Sequence, residues 1–262
     1  MIYNSSIYVS FSKQLDKFKD YKLIEQIKKS PSPEHIAIIM DGNRRFATEL
    51  GLSAKAGHFF GRDKLEEVLG WCFDLGIKNL TVFAFSTENF SRDINEVETL
   101  MDLCKSELEK ATKDSRIHKN KVKIRVFGHI DSLPDNISES AKYVMKETEN
   151  YEKFSFNIAL AYGGREEILQ AIQKIAEDVT KGKLCIDDIK EPIVSKYLYT
   201  NGLPDPDLIL RTSGEERISN FLLWQLAYSE LYFSDVYWPA FQKRDFLKAI
   251  KTFQQRKRRY GK

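Results

Sequence analysis

The residues best suited to chemistry stand together near the start of the chain. Asp41, Gly42, Asn43, Arg44 and Arg45 follow five apolar residues, Ile36 to Met40. A short apolar run between Pro33 and a glycine reads as a buried strand. The glycine lets backbone N–H groups come close to an anion, and paired guanidinium groups can fork onto phosphate oxygens. A carboxylate cannot bind phosphate directly, but it can hold a Mg2+ ion that phosphate also ligates. The phrase suggests a strand-end site for a diphosphate with a metal. On this phrase alone, a strand ending in a plain polar turn is an equal alternative.

Two more polar phrases follow apolar runs. Ser86, Thr87, Glu88 and Asn89 supply hydroxyls, a carboxylate and an amide, with Phe90 and Arg92 behind them. Ser and Asn in such places also cap helices. Arg211, Arg217 and Ser219 flank Thr212, Ser213 and Gly214, and can hold one phosphate cluster through charge-assisted bonds. His58, in KAGHFFG, can donate to a diphosphate or serve as a structural histidine. Glu230 stands in an aromatic and aliphatic run. It reads as a helix-surface charge or as a metal ligand supplied across a subunit interface. There is no GxxxxGK[ST] loop, no GxGxxG fingerprint and no GxSxG elbow.

Strand-like and helix-like segments alternate from residue 33 onward. The pattern predicts strands over Ile36–Met40, Leu80–Ser86, Lys123–Phe127, Ser155–Leu160 and Leu208–Arg211. It predicts helices over Lys64–Leu75, Ile94–Asp114, Ile137–Thr148, Arg165–Lys181 and Asp245–Arg258. Such alternation points to an α/β fold with a mostly parallel sheet, whose ligands bind beyond the carboxyl ends of the strands. All three polar phrases then share one rim. Val97, Leu100, Met101, Cys104 and Leu108 trace one helix face, a core stripe or the lining of an apolar ligand site.

A 42% hydrophobic content supports one sizeable core, so the simplest division is a domain over residues 31–262 behind an extension over 1–30. The net charge of +3 demands no polyanion partner, and no nucleic acid is expected. Three dispersed cysteines suit a reducing compartment, and four scattered histidines give no zinc pattern. No apolar run is long enough to span a bilayer, and no secretory signal is expected. Phe11, Leu15, Phe18, Tyr21, Ile24 and Ile27 form an apolar stripe flanked by lysines. That stripe would either lie on a membrane surface or dock on its own domain.

Several phrases in order carry a resemblance: HIAIIMDGNRRFA, AGHFFG, TVFAFSTENFSR, NIALAYGGREEI, LILRTSGEERISNFLLWQLAYSELYFSDVYWP and the terminal RRYGK. The chain resembles the cis-prenyltransferase family, which includes undecaprenyl and dehydrodolichyl diphosphate synthases. The resemblance implies a mostly parallel central sheet flanked by helices, with an apolar tunnel. It implies extension of farnesyl diphosphate by repeated addition of isopentenyl diphosphate with cis double bonds, and Mg2+ as cofactor.

By that resemblance Asp41 engages the metal and the allylic diphosphate, which Gly42, Asn43, Arg44 and Arg45 hold. Phe46 flanks it and His58 assists. Ser86 and Asn89 lie where condensation occurs, beside Thr87, Glu88 and Phe90, with Arg92 on substrate. Arg211, Arg217, Ile218 and Ser219 hold isopentenyl diphosphate, and Glu230 is a metal ligand. Arg259, Tyr260 and Gly261 match the terminal RxG motif that in homodimeric members enters the partner's active site, which implies a self-sufficient homodimer. NRRFA and Lys55 look more like dolichol-type enzymes, while SNFLLWQLAYSELYFSDVYWP looks closer to bacterial ones. A dolichol-type product is the expectation, with an undecaprenyl diphosphate synthase or a non-catalytic partner subunit as the alternatives, in a cytoplasmic protein peripheral on the cytosolic face of a membrane.

Overall fold

The computed structural model describes residues 21–256. Among them is a six-stranded sheet, entirely parallel, in the order β3-β4-β2-β1-β5-β6. Its strands are β1 (His35–Ile39), β2 (Asn79–Ser86), β3 (Val122–Phe127), β4 (Phe154–Tyr162), β5 (Leu208–Arg211) and β6 (Glu230–Phe233). Around it lie α1 (residues 21–27), α2 (Asn43–Glu49), α3 (Ala54–Asp74), α4 (Ile94–Ala111), α5 (Ser115–Lys119), α6 (Asp135–Glu147), α7 (Gly164–Thr180), α8 (Glu191–Tyr197) and α9 (Lys243–Gln255). None of these helices is long and apolar enough to cross a membrane.

β1 is central and all five of its residues are buried, and from Ile36 onward it reads as an unbroken apolar run. Alternate residues serve opposite faces of the sheet. Ile36 and Ile38 join one core, and Ala37 and Ile39 join another. Register aligns Ile39 with Phe83 of β2 and with Arg211 of β5. The ends of β1, β2 and β5 therefore form one rim, as the α/β pattern predicts.

The expected strands and long helices are present, with α2 added at the rim, β6 at the edge, and the short helices α5 and α8 besides. The phrase after Asp41 is not a plain turn, because Asn43 opens the short helix α2. β6 is an edge strand, Glu-Leu-Tyr-Phe, whose four residues are all half-buried. α3 begins at Ala54 rather than Lys64, with Ser53 capping it by accepting from Ala56 N–H. Ile27 of α1 is fully buried in the main core, and Gln26 accepts from Lys251 of α9 at 2.6 Å. That end of the N-terminal stripe docks on its own domain. Phe11, Leu15 and Phe18 lie outside the described residues.

Candidate active site

Asp41 follows β1 at the rim. Thr212, just past β5, pins its backbone: the hydroxyl accepts from Asp41 N–H at 3.0 Å and donates to Asp41 carbonyl at 2.7 Å. Its carboxylate faces two guanidinium groups. Arg211 Nη2 donates to Oδ2 at 2.7 Å, and Arg45 Nη2 donates to Oδ1 at 3.2 Å. Burial by itself would raise the Asp41 carboxyl, but Arg211, and then Arg45, hold it below the usual carboxylate range. Arg211 is only 4% exposed, and its Nη1 donates to Ser219 Oγ at 2.7 Å and to the Arg217 carbonyl. Its buried Nε has no hydrogen-bond partner among the described residues, so it remains a donor for an anion.

Gly42 makes the bend between β1 and α2 at φ 104°, in the left-handed region that favours glycine. A Cβ there would stand 2.8 Å from Tyr237 Cδ1 and 3.1 Å from Ser213 Cβ. One turn later Arg45 Nη2 donates to Ser213 Oγ at 2.6 Å, and Nη1 donates to Glu215 at 3.0 Å. Glu215 also pairs with Arg217, so one carboxylate links the Asp41 side of the rim to the Arg217 side.

Ser86 and Asn89 cap the turn after β2: Ser86 N–H donates to Asn89 Oδ1 at 3.1 Å, and the Ser86 side chain accepts in return. Capping and facing the cavity are compatible, because both residues also line it. Glu88 accepts from Asn220 Nδ2 at 2.9 Å, tying this turn to the loop after β5. His58 lies in the first turns of α3, 7% exposed, with Nε2 3.2 Å from Glu96 Oε1. Burial lowers its pKa, Glu96 opposes the shift, and the charges of Arg92 and Arg44 lower it further.

The rim opens into a cavity of about 1230 Å³. Asp41, Gly42, Asn43, Arg44, Arg45, His58, Ser86, Glu88, Asn89, Arg92, Arg211, Arg217 and Ser219 face it at one end. Leu65, Leu69 and Phe73 of α3, Leu100, Cys104 and Leu108 of α4, Val82 of β2 and Ile124 of β3 carry it between helices and sheet. The α4 stripe divides. Leu100, Cys104 and Leu108 line the cavity, whereas Val97 and Met101 pack in the core.

Four expected substrate residues are not brought to this cavity. Phe46 packs edge-on to Phe60, and Phe90 packs edge-on to Phe85. Thr87 donates to Glu88, and Ile218 is half-buried away from the lining. Glu230 also lies apart. It pairs in register with Leu208, at the opposite end of β5 from Arg211, and accepts from Arg256 at 2.5 Å. Arg259, Tyr260 and Gly261 lie outside the described residues.

Sequence reasoning missed Glu96, Glu215 and Asn220. Glu96 follows Arg92 at a one-turn spacing, a signal for an ion pair but not for a site. Among the described residues no three His, Cys, Asp or Glu side chains gather as a metal cage. Asp41 could share a cation only with oxygens from elsewhere.

The comparisons with known proteins agree with this geometry. The family model described as "Putative undecaprenyl diphosphate synthase" matches residues 39–261. The tritrans,polycis-undecaprenyl-diphosphate synthase (geranylgeranyl-diphosphate specific) of Picrophilus torridus is 52% identical over 247 residues, 94% of this chain and 97% of that protein. The protein of the same name from Thermoplasma volcanium is 53% identical, covering 92% of this chain and 93% of its own. Lavandulyl diphosphate synthase from Lavandula x intermedia, solved with dimethylallyl diphosphate, superposes at a TM-score of 0.85 with 35% identity, over 88% of this chain and 99% of that one. The chain belongs to the undecaprenyl diphosphate synthase family of cis-prenyltransferases, transferases that elongate prenyl diphosphates.

Proposed function

We propose that this chain extends geranylgeranyl diphosphate by repeated addition of isopentenyl diphosphate, to a product near undecaprenyl length. One observation carries the reading: Asp41, Arg45 and Arg211 form an anion site at the mouth of a long apolar cavity. The starter replaces farnesyl diphosphate, and the undecaprenyl product replaces the dolichol type, because the relatives sharing half of their residues carry those specificities in their names.

In each round the allylic C1–O bond breaks and inorganic diphosphate leaves with the electron pair. C4 of isopentenyl diphosphate bonds to C1, and a proton leaves C2. Arg44, Arg45 and Arg211 take up the negative charge that develops on the departing diphosphate. Arg217 and Ser219, together with Arg211, orient isopentenyl diphosphate. The cavity excludes water from the reactive carbon and accepts the growing chain.

The donor set fits Mg2+ that arrives with substrate rather than a resident ion. Asp41 would offer an ionised carboxylate, with substrate phosphate and water oxygens as the other donors this cation usually takes. When bound, Mg2+ supplies charge neutralisation at the diphosphate. Glu230 is remote from Asp41 along β5 and β6, so a metal role for it requires a second copy of the chain. A homodimer working at a membrane surface in the cytoplasm, where its lipid product is used, is part of the proposal.

The test incubates the purified chain with labelled isopentenyl diphosphate, Mg2+ and detergent, with either starter, and sizes the extracted polyprenols. The expected result is a higher kcat/KM for geranylgeranyl diphosphate and a ladder ending near eleven isoprene units. A preference for farnesyl diphosphate would refute the starter assignment, and no elongation of either would refute the reading.

A further inference from the structure

We propose that Glu96 is a positioning residue for the allylic diphosphate, acting through Arg44, Arg92 and His58. The proposal rests on the elongation reading above. Glu96 sits at the third position of α4, and its side chain is only 11% exposed. Its Oε1 accepts from Arg92 Nη1 at 2.9 Å and lies 3.2 Å from His58 Nε2, while Oε2 accepts from Arg44 Nη1 at 3.4 Å. One carboxylate thus joins α2, α3, α4 and the turn after β2.

Glu96 is fixed from its own side as well. Asp93 caps α4, accepting from Asn95 N–H at 3.0 Å and from Glu96 N–H at 3.4 Å. Arg44, Arg92 and His58 all line the cavity, whereas Glu96 does not. It stands behind three groups able to carry positive charge and does not compete with substrate for the space in front of them. Arg44 is 56% exposed, and without an anchor its long side chain would sample many rotamers that substrate would have to freeze. Like charges gathered at one end of the cavity also repel, and a buried carboxylate offsets that repulsion. Leu100, one turn further along α4, lines the apolar part of the cavity. Arg211, Arg217 and Ser219, the residues assigned to isopentenyl diphosphate, bond to Asp41, Glu215 and one another rather than to this cluster.

The test compares the full-length parent with Glu96→Gln, which keeps shape and removes charge, and with Glu98→Gln on the exposed face of the same helix as control. For Glu96→Gln, KM for geranylgeranyl diphosphate should rise about tenfold, as loss of a charge-assisted contact implies, while KM for isopentenyl diphosphate stays within about twofold. Affinity for inorganic diphosphate, measured by calorimetry, should fall in parallel, and Glu98→Gln should match the parent. Glu96→Asp, which draws the charge back by one methylene, should show the same split at smaller amplitude and serves if Glu96→Gln does not fold. Unchanged allylic KM, or an equal rise in both KM values with a lowered melting temperature, would overturn the proposal in favour of a purely structural ion pair. If the parent elongates neither starter, the elongation reading fails on its own, and the diphosphate affinities still decide the role of Glu96.

Discussion

Replacing Asp41 with Asn separates two jobs that this carboxylate combines, holding Arg211 and sharing a substrate-borne cation. Breaking a fully buried ion pair from one side costs about 3–5 kcal/mol, because the other charge is left buried. Arg211 meets that condition, but Asp41 is 27% exposed, and Ser219 and the Arg217 carbonyl still hold Nη1 of Arg211. The expected loss at this pair is therefore lower, about 2–3 kcal/mol. The second partner, Arg45, is 43% exposed, so its pairing adds less than about 1 kcal/mol. For a domain of this size the melting temperature should fall by about 5–10 °C. The rate constant kcat should fall by roughly 10²–10³, the usual consequence of losing one electrostatic element of such a site.

Binding gives the sharper readout. Without Mg2+, the Asn variant should bind inorganic diphosphate at least as tightly as the parent, because the carboxylate that occupies Arg211 and Arg45 is neutralised. Adding Mg2+ should tighten binding to the parent and leave the variant nearly unchanged. Melting at the parental temperature would show that the Asp41–Arg211 pair does not stabilise the rim. Equal tightening by Mg2+ in both proteins would show that Asp41 does not share the cation.

Three further outcomes are expected. Gly42→Ala forces an L side chain to φ 104° against Tyr237 and Ser213, and should cost about 2 kcal/mol or more in urea unfolding; a loss under about 0.5 kcal/mol would contradict the strain argument. His35 is buried, with Nδ1 2.7 Å from the Pro204 carbonyl and Nε2 2.7 Å from Thr81 Oγ1, and burial lowers its pKa from 6.5 to about 4. The unfolded chain therefore takes up this proton at a higher pH than the folded one. The stabilisation is complete above pH 6.5 and is lost as pH falls toward 4, by about 3 kcal/mol in all. Urea midpoints should accordingly drop more steeply over that window in the parent than in His35→Gln, and identical slopes would refute the assignment. Ala111→Phe fills part of the far cavity and should shorten the dominant polyprenol by about one or two isoprene units, since close-packed space admits no overlap; an unchanged ladder would mean the chain does not reach Ala111.

Legibility followed burial. β1 and β5 are apolar on both faces, so their runs stand out in the sequence, and β5 occupies the predicted residues. α2 escaped because only Ala47 of its seven residues is buried, which leaves no periodic stripe to read. The first ten residues of α3 escaped for a different reason. Gly57 and Gly61 lower helix propensity, yet a Cβ at either would run into the backbone or side chain of Asn43. Those glycines are there for the approach of α2 to α3, a tertiary requirement that local propensity does not register.

The sequence by itself determined the chemistry available and the order in which it appears. It places an aspartate and two arginines after one apolar strand, hydroxyls and amides after a second, and arginines with a serine after a third. A parallel α/β pattern then sets all three on one rim, because strand ends in such sheets point the same way. Tertiary structure alone decided the pairings, since Asp41 meets Arg211 across 170 residues and His58 meets Glu96 across 38. It also divided the α4 stripe between cavity and core, left Phe46 and Phe90 out of the cavity lining, and set Glu230 at the opposite end of β5 from Arg211. Side-chain type is local information, but facing direction and charge partner depend on how distant segments pack, and only the folded chain contains that.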